Sequence, residues 1–142
     1  MNKIKLNTDV LKLIVLFESL THSKVKDCIP EEKLITYIVE ENEAGKAIGK
    51  NGINVKRLGN MAKKNIRIIE YSSDLKQYTK NVIYPLKVSG IEEEEVEGKK
   101  IVTLTPIDSK TRGYLIGRAA ENLRGYEALI KRYFEIDELK VV

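Results

Sequence analysis

The residues best suited to chemistry lie in one stretch, Ala44-Gly45-Lys46-Ala47-Ile48-Gly49-Lys50-Asn51-Gly52-Ile53-Asn54-Val55-Lys56-Arg57. Gly49 and Gly52 bracket Lys50 and Asn51 and remove side chains where a backbone would approach a ligand closely. A helix-like run follows the second glycine. Its start would offer unpaired N–H groups and the positive end of its dipole, a combination that suits a phosphate. From Ala44 to Ile69 there are seven basic residues and no acidic one. So dense a set of cations points to a polymer of phosphates rather than to a single one.

The elements that must hold this stretch are legible in outline. Asn7-Thr8-Asp9 can cap a helix start, and Val10, Leu13, Ile14 and Phe17 recur at helical spacing, which predicts a helix over about 8–21. Val25 to Ile29 and the β-branched, aromatic run Leu34 to Val39 read as paired strands. Ala44 to Ile48 reads as a short helix, Ile53 to Lys64 as a longer one, and Ile66 to Tyr71 as a strand. Ser72-Ser73-Asp74 then caps a helix over Leu75–Ile83 that Pro85 stops. Leu86 to Ile91 and Ile101 to Thr105 read as strands. The acidic run from Glu92 to Glu97 between them reads as a solvated hairpin tip or strand edge. Asp108 to Ile116 and Glu121 to Phe134 read as helices around a turn, and Ile136 to Val142 holds a last strand.

The element order therefore occurs twice. A shift of 68 positions superposes the two central stretches without a gap: Gly45 meets Gly113, Ile48 meets Ile116, Gly49 meets Gly117, Lys50 meets Arg118, Asn54 meets Asn122 and Lys56 meets Arg124. Two domains of about 70 residues, 1–73 and 74–142, are expected. Units that small bury little apolar area, so they are expected to pack as one rigid body. The copies differ at the turn, where Asn51, Gly52 and Ile53 meet Ala119, Ala120 and Glu121. A methyl group at Ala120 would crowd a close backbone contact if that position needs a positive φ, and Glu121 repels anions. The first copy is expected to bind more strongly, with Gly117 and Arg118 as what remains of the second site.

Composition narrows the class. The chain has 142 residues, a net charge of +4, 42% hydrophobic and 32% charged residues, which fits a globular protein. Residues 1–73 hold 13 basic and 9 acidic residues and residues 74–142 hold 12 of each, so the excess positive charge sits in the first half. No apolar run approaches the roughly 20 residues of a membrane span. The run from Val10 to Leu20 is interrupted by Lys12 and Glu18 and reads as a helix, not a signal peptide. A lone cysteine, Cys28, excludes an internal disulfide and fits a reducing, cytoplasmic setting. With one histidine, His22, and one cysteine, neither a metal site nor a nucleophilic constellation is expected, and the chain does not read as an enzyme or as a cofactor carrier. Gly45 to Asn51 is one residue short of a Walker A loop and has Asn where Mg²⁺ needs a hydroxyl.

Ile48-Gly49-Lys50-Asn51-Gly52 within an α-β-β-α-α-β unit resembles the GXXG core of a type II KH domain. Two such units in tandem, with no S1 domain ahead of them, resemble the archaeal NusA family of transcription factors. The resemblance implies an α+β fold of two tandem type II KH domains. It also implies an RNA-binding protein of transcription termination or antitermination that acts beside RNA polymerase. In such a loop backbone clamps about four nucleotides of single strand. Gly49 and Gly52 would permit approach, Lys50 and Asn51 would bond phosphate oxygens, and Lys46, Lys56 and Arg57 would add charge. Ile48, Ile53, Val55 and Ile38 are candidates for an apolar floor under the bases. The alternatives are a KH protein of ribosome or rRNA biogenesis and a protein-interaction scaffold with inert KH folds. A DNA-reading helix-turn-helix would need a helical bundle, against which the strand-rich flanks argue.

Overall fold

The computed structural model describes residues 3–142, with side chains from residue 9 onward. The chain is α+β and divides into two compact units, Met1–Ser72 and Ser73–Val142. The first runs α1 (Lys3–Thr21), β1 (Val25–Pro30), β2 (Leu34–Val39), α2 (Ala44–Ile48), a single 3-10 turn (Lys50–Gly52), α3 (Ile53–Ala62) and β3 (Asn65–Glu70). α1 begins earlier than the capping pattern predicts, so Asn7-Thr8-Asp9 lie inside it; the capping side chains of Asn7 and Thr8 are outside the described residues. His22 ends α1 in a left-handed conformation (φ 58°) and donates its N–H to the Glu18 carbonyl at 2.8 Å.

β2 is the middle strand, antiparallel to β1 and parallel to β3. Its apolar, β-branched sequence fits a strand whose two faces are both covered. Ile35, Tyr37 and Val39 share one face and form the core with Phe17, Cys28, Ala47 and Leu58. The Phe17 and Tyr37 rings stack at 4.0 Å between centroids, and the Tyr37 hydroxyl donates to the Leu13 carbonyl at 3.1 Å. α1 is thus fastened to the sheet by both an apolar and a polar contact.

The second unit runs α4 (Leu75–Ile83), β4 (Val88–Val96), β5 (Lys99–Pro106), α5 (Ser109–Ile116), a 3-10 turn (Arg118–Ala120), α6 (Glu121–Lys131) and β6 (Glu138–Val141). The pairing repeats: β5 is central, antiparallel to β4 and parallel to β6. Even the register slip near the start of the first strand recurs, between Val25 and Asp27 and between Val88 and Gly90.

The strands of this second hairpin are longer than the pattern predicts. Glu92 to Glu95 are not a gap between strands but part of edge strand β4, opposite Thr103, Val102, Ile101 and Lys100. The turn is only Glu97-Gly98, both at positive φ (52° and 80°), which matches the twist of a two-residue hairpin. Cross-strand pairing and the Lys100–Glu93 contact at 3.4 Å hold the carboxylates in extended backbone. α6 ends at Lys131 rather than Phe134, because Tyr133 and Phe134 turn back to place their rings 5.7 and 5.5 Å from that of Tyr78. Asp108 caps α5 by accepting from the Thr111 N–H at 2.7 Å, and this bond holds its carboxyl below the usual range. Among the described residues no helix is long and apolar enough to cross a membrane.

Burial, and then the charge of Asp27, push the Cys28 thiol up to about 12. The folded state therefore disfavours the thiolate that the unfolded chain forms freely. Stability is expected to fall as pH rises through the ordinary thiol range, about 8.5. A disulfide-exchange reagent at pH 8 is expected to leave Cys28 unmodified in the folded protein and to modify it fully in urea. Modification of the folded protein at the rate of free cysteine would contradict the buried, protonated thiol.

Candidate nucleic-acid interface

The turn between α2 and α3 is built on two different uses of glycine. Gly49 adopts φ 78°, ψ 171°, a region that is essentially glycine-only. A Cβ there would also stand 2.8 Å from Nδ2 of Asn54. Asn51 (φ 57°, ψ 25°) and Gly52 (φ 71°, ψ 22°) are both left-handed. A Cβ on Gly52 would meet nothing within 4 Å, so this glycine serves backbone conformation and open approach rather than internal space. No side chain caps the start of α3, and its first turn holds no carboxylate. Those features leave the positive end of α3 open to an anion.

Asn54 is the residue that sequence reasoning aligned but gave no role. Its Nδ2 donates to the Lys46 carbonyl at 3.2 Å and ties the first turn of α3 back to α2. Asn122 does the same in the second unit, donating to the Tyr114 carbonyl at 2.9 Å. Recurrence at the repeat spacing was the signal available. The second loop keeps the backbone shape as well. Gly117 lies at φ 73°, ψ 179°, and Ala119 and Ala120 take left-handed conformations at φ 52° and 61°. The methyl group of Ala120 therefore does stand at a positive φ. Each alanine there costs about 1–2 kcal/mol. What the second loop lacks is the Asn51 carboxamide and the bare Gly52; what it adds is Glu121 in the first turn of α6. Gly117 and Arg118 sit in this loop, with Arg118 exposed.

The predicted cations of the first unit are not equivalent. Lys46 lies 3.3 Å from Oε2 of Glu43. Oε1 of Glu43 accepts the Lys24 N–H at 2.7 Å, and that bond, with Lys46, holds the Glu43 carboxyl below its ordinary range. Lys50, Lys56 and Arg57 are exposed and make no ion pair among the described residues. Ile48 and Ile53 flank the turn and are 38% and 42% exposed, so Ile48 belongs to the surface rather than the core. Val55 is half-buried. Ile38 is 0% exposed and offers no floor to a ligand, because both faces of the central strand are covered.

Beyond the turn runs a groove that sequence reasoning did not find. Val55, Lys56, Gly59 and Asn60 follow Gly52 at helical spacing along one face of α3, and Lys63 caps its C-terminal end. Facing them are the β1–β2 turn, with Glu32 and Lys33, and the start of β3, with Asn65 and Ile66. The cavity between them is about 1030 Å³ and carries Lys33, Lys56, Lys63 and Lys64 against a single carboxylate. Lys64 braces the wall by donating from Nζ to the Glu31 carbonyl at 2.7 Å. Gly59 lets α3 lie close to β3, since a Cβ there would stand 3.2 Å from the Lys64 carbonyl. Arg57 does not line the groove.

Residues 14–73, which include α2, the glycine turn and α3, match the KH domain family. The chain is 32% identical over 142 residues to the probable transcription termination protein NusA of Methanocaldococcus jannaschii, covering 100% of this chain and 77% of that protein. It is 34% identical over 140 residues to the protein of the same description from Methanococcus vannielii, covering 99% and 80%. The solved crystal structure of APE1850 superposes with a TM-score of 0.76 at 30% identity, over 95% of this chain and 99% of that one. The chain belongs to the archaeal NusA family.

The two glycines are expected to answer differently to alanine. Gly49→Ala meets both the backbone restriction and Asn54, and is expected to cost about 2–4 kcal/mol in urea unfolding. Gly52→Ala is expected to cost about 1–2 kcal/mol, the cost of one left-handed alanine. Equal losses would contradict the distinct roles given to the two positions.

Proposed function

We propose that this chain is an RNA-binding transcription factor that grips single-stranded RNA with the first unit. In this reading the strand's phosphates sit over Gly49 to Gly52 and the open start of α3. Lys50 and Asn51 donate to phosphate oxygens, and Ile48 and Ile53 offer apolar contact beside the turn. The strand then follows α3 past Lys56. Lys46, held by Glu43, shapes the turn more than it adds free charge.

The observation that carries this reading is the continuity of turn and groove. A groove of about 1030 Å³ lined by four lysines begins at Val55 and Lys56, in the first turn of the helix that the glycine turn leads into. A polyanion needs that extended cationic path, whereas a single phosphate would need only the turn.

In the same reading residues 1–73 and 74–142 are tandem type II KH domains. The repeated element order, strand pairing and Asn54/Asn122 bridge support this. Relatives described as probable transcription termination proteins support a place in termination or antitermination, beside RNA polymerase in the cytoplasm.

Replacing Lys50 and Asn51 by aspartates is expected to abolish binding of short single-stranded RNA and to leave the unfolding midpoint nearly unchanged, since both side chains are exposed. Placing two aspartates at Arg118 and Ala119 is expected to change affinity little. An equal loss from both pairs, read by fluorescence anisotropy, would contradict the assignment to the first unit. Affinity is also expected to fall steeply with salt, with a log–log slope of about −0.7 per phosphate contact.

A further inference from the structure

β3 and β6 are edge strands, each parallel to the central strand of its sheet. In β3 the N–H groups of Asn65 and Tyr71 go inward, to the carbonyls of Lys33 and Val39. Strand alternation therefore turns the Ile66 N–H outward, and Ile66 lines the first groove. In β6 the Val142 N–H goes inward to the Leu104 carbonyl, so alternation turns the Leu139 N–H outward in the same way. The two residues are counterparts. Each follows the first register pair of its parallel ladder, Leu34 with Asn65 and Ile101 with Glu138.

The two outward N–H groups meet different neighbours. The repeat shift that takes Gly49 to Gly117 takes Gly59 to Glu127. Oε2 of Glu127 accepts the Leu139 N–H at 2.9 Å. Oε1 of the same carboxylate lies 3.6 Å from Nζ of Lys131, the counterpart of groove residue Lys63. The side chain of Glu127 is only 24% exposed. The cavity at this end of the second unit is about 610 Å³ and takes only Lys131 from α6. It carries Glu95, Glu135 and Asp137 against Lys100 and Lys131.

We propose that Glu127 is a built-in occupant of the second groove and the residue that confines single-stranded RNA to the first. Where Gly59 carries no side chain, the Glu127 carboxylate takes the edge N–H. It also pairs with Lys131, the counterpart of groove residue Lys63, and sets a negative charge on a polyanion's path. The loop differences weaken the second unit's hold on phosphate; Glu127 closes the groove behind the loop. This inference rests on the first groove being an RNA site.

The test uses the full chain with Lys50 and Asn51 already replaced by aspartates, so that any binding reports the second unit. Short fluorescein-labelled single-stranded RNA of mixed sequence is the probe, read by anisotropy and by amide chemical shifts. Adding Glu127→Ala is expected to tighten binding at least about tenfold over that background, with the Leu139 amide shifting on titration. Glu127→Gln keeps an acceptor for Leu139 and is expected to stay closed. In the unmodified protein RNA is expected to move the Ile66 amide and not that of Leu139.

No gain from Glu127→Ala with a dispersed amide spectrum overturns the proposal. So does an equal gain from Glu127→Gln, or a Leu139 shift with RNA in the unmodified protein. That last measurement needs no variant to fold. If RNA leaves the amides of residues 49–55 and Ile66 unmoved in the unmodified protein, the first-groove reading fails, while the Leu139 response to Glu127→Ala still decides the role of Glu127.

Discussion

The angle at which α3 leaves α2 depends on Gly49 and Asn54 together. Gly49 occupies backbone space closed to other residues, and the Asn54 carboxamide fills the volume its missing side chain leaves, bonding back to the Lys46 carbonyl. That joint sets the direction of α3, and the direction of α3 sets everything after it. It places Val55, Lys56, Gly59, Asn60 and Lys63 opposite β3 and the β1–β2 turn, and so opens a groove. It also leaves the first turn of α3 without a capping side chain. The second unit repeats the joint with Gly117 and Asn122, even though the rest of its loop has lost glycine and asparagine.

Two units with one backbone plan can therefore differ entirely in surface chemistry. Left-handed alanines at 119 and 120 show that the turn is held by its surroundings and not by glycine preference alone. The strain of a few kcal/mol is offset by the packing of α5 and α6 around it. What separates the units is charge and space. The first presents lysines on both walls of its groove, with Glu43, just ahead of α2, occupied by a backbone N–H and Lys46. The second turns a carboxylate inward at the position where the first has no side chain.

Much of the fold was legible because its signals are local. The β-branched run Leu34 to Val39 and the end of the helix before Tyr84 each reflect short-range sterics, and each fell where the residues placed it. The acidic run at Glu92 to Glu95 took the strand-edge form of its two readings, since charge density argues for solvent exposure and does not settle pairing. An edge strand satisfies both. Ile38 was misassigned for a related reason: period-two alternation says which face a strand residue takes, not whether that face is covered.

The residues alone determined the repeat, the glycine turn, the acid-free cationic stretch and the asymmetry between the two loops, since all of these are matters of type and spacing along one chain. The groove walls, the brace of Lys64 on the Glu31 carbonyl and the contact between Glu127 and Leu139 were decided only in three dimensions. Each joins residues on different elements. Hydrogen-bond partners and charge neutralisation act over a few ångströms in space, and linear spacing does not encode those separations until the sheet edge and the helix beside it have been brought together.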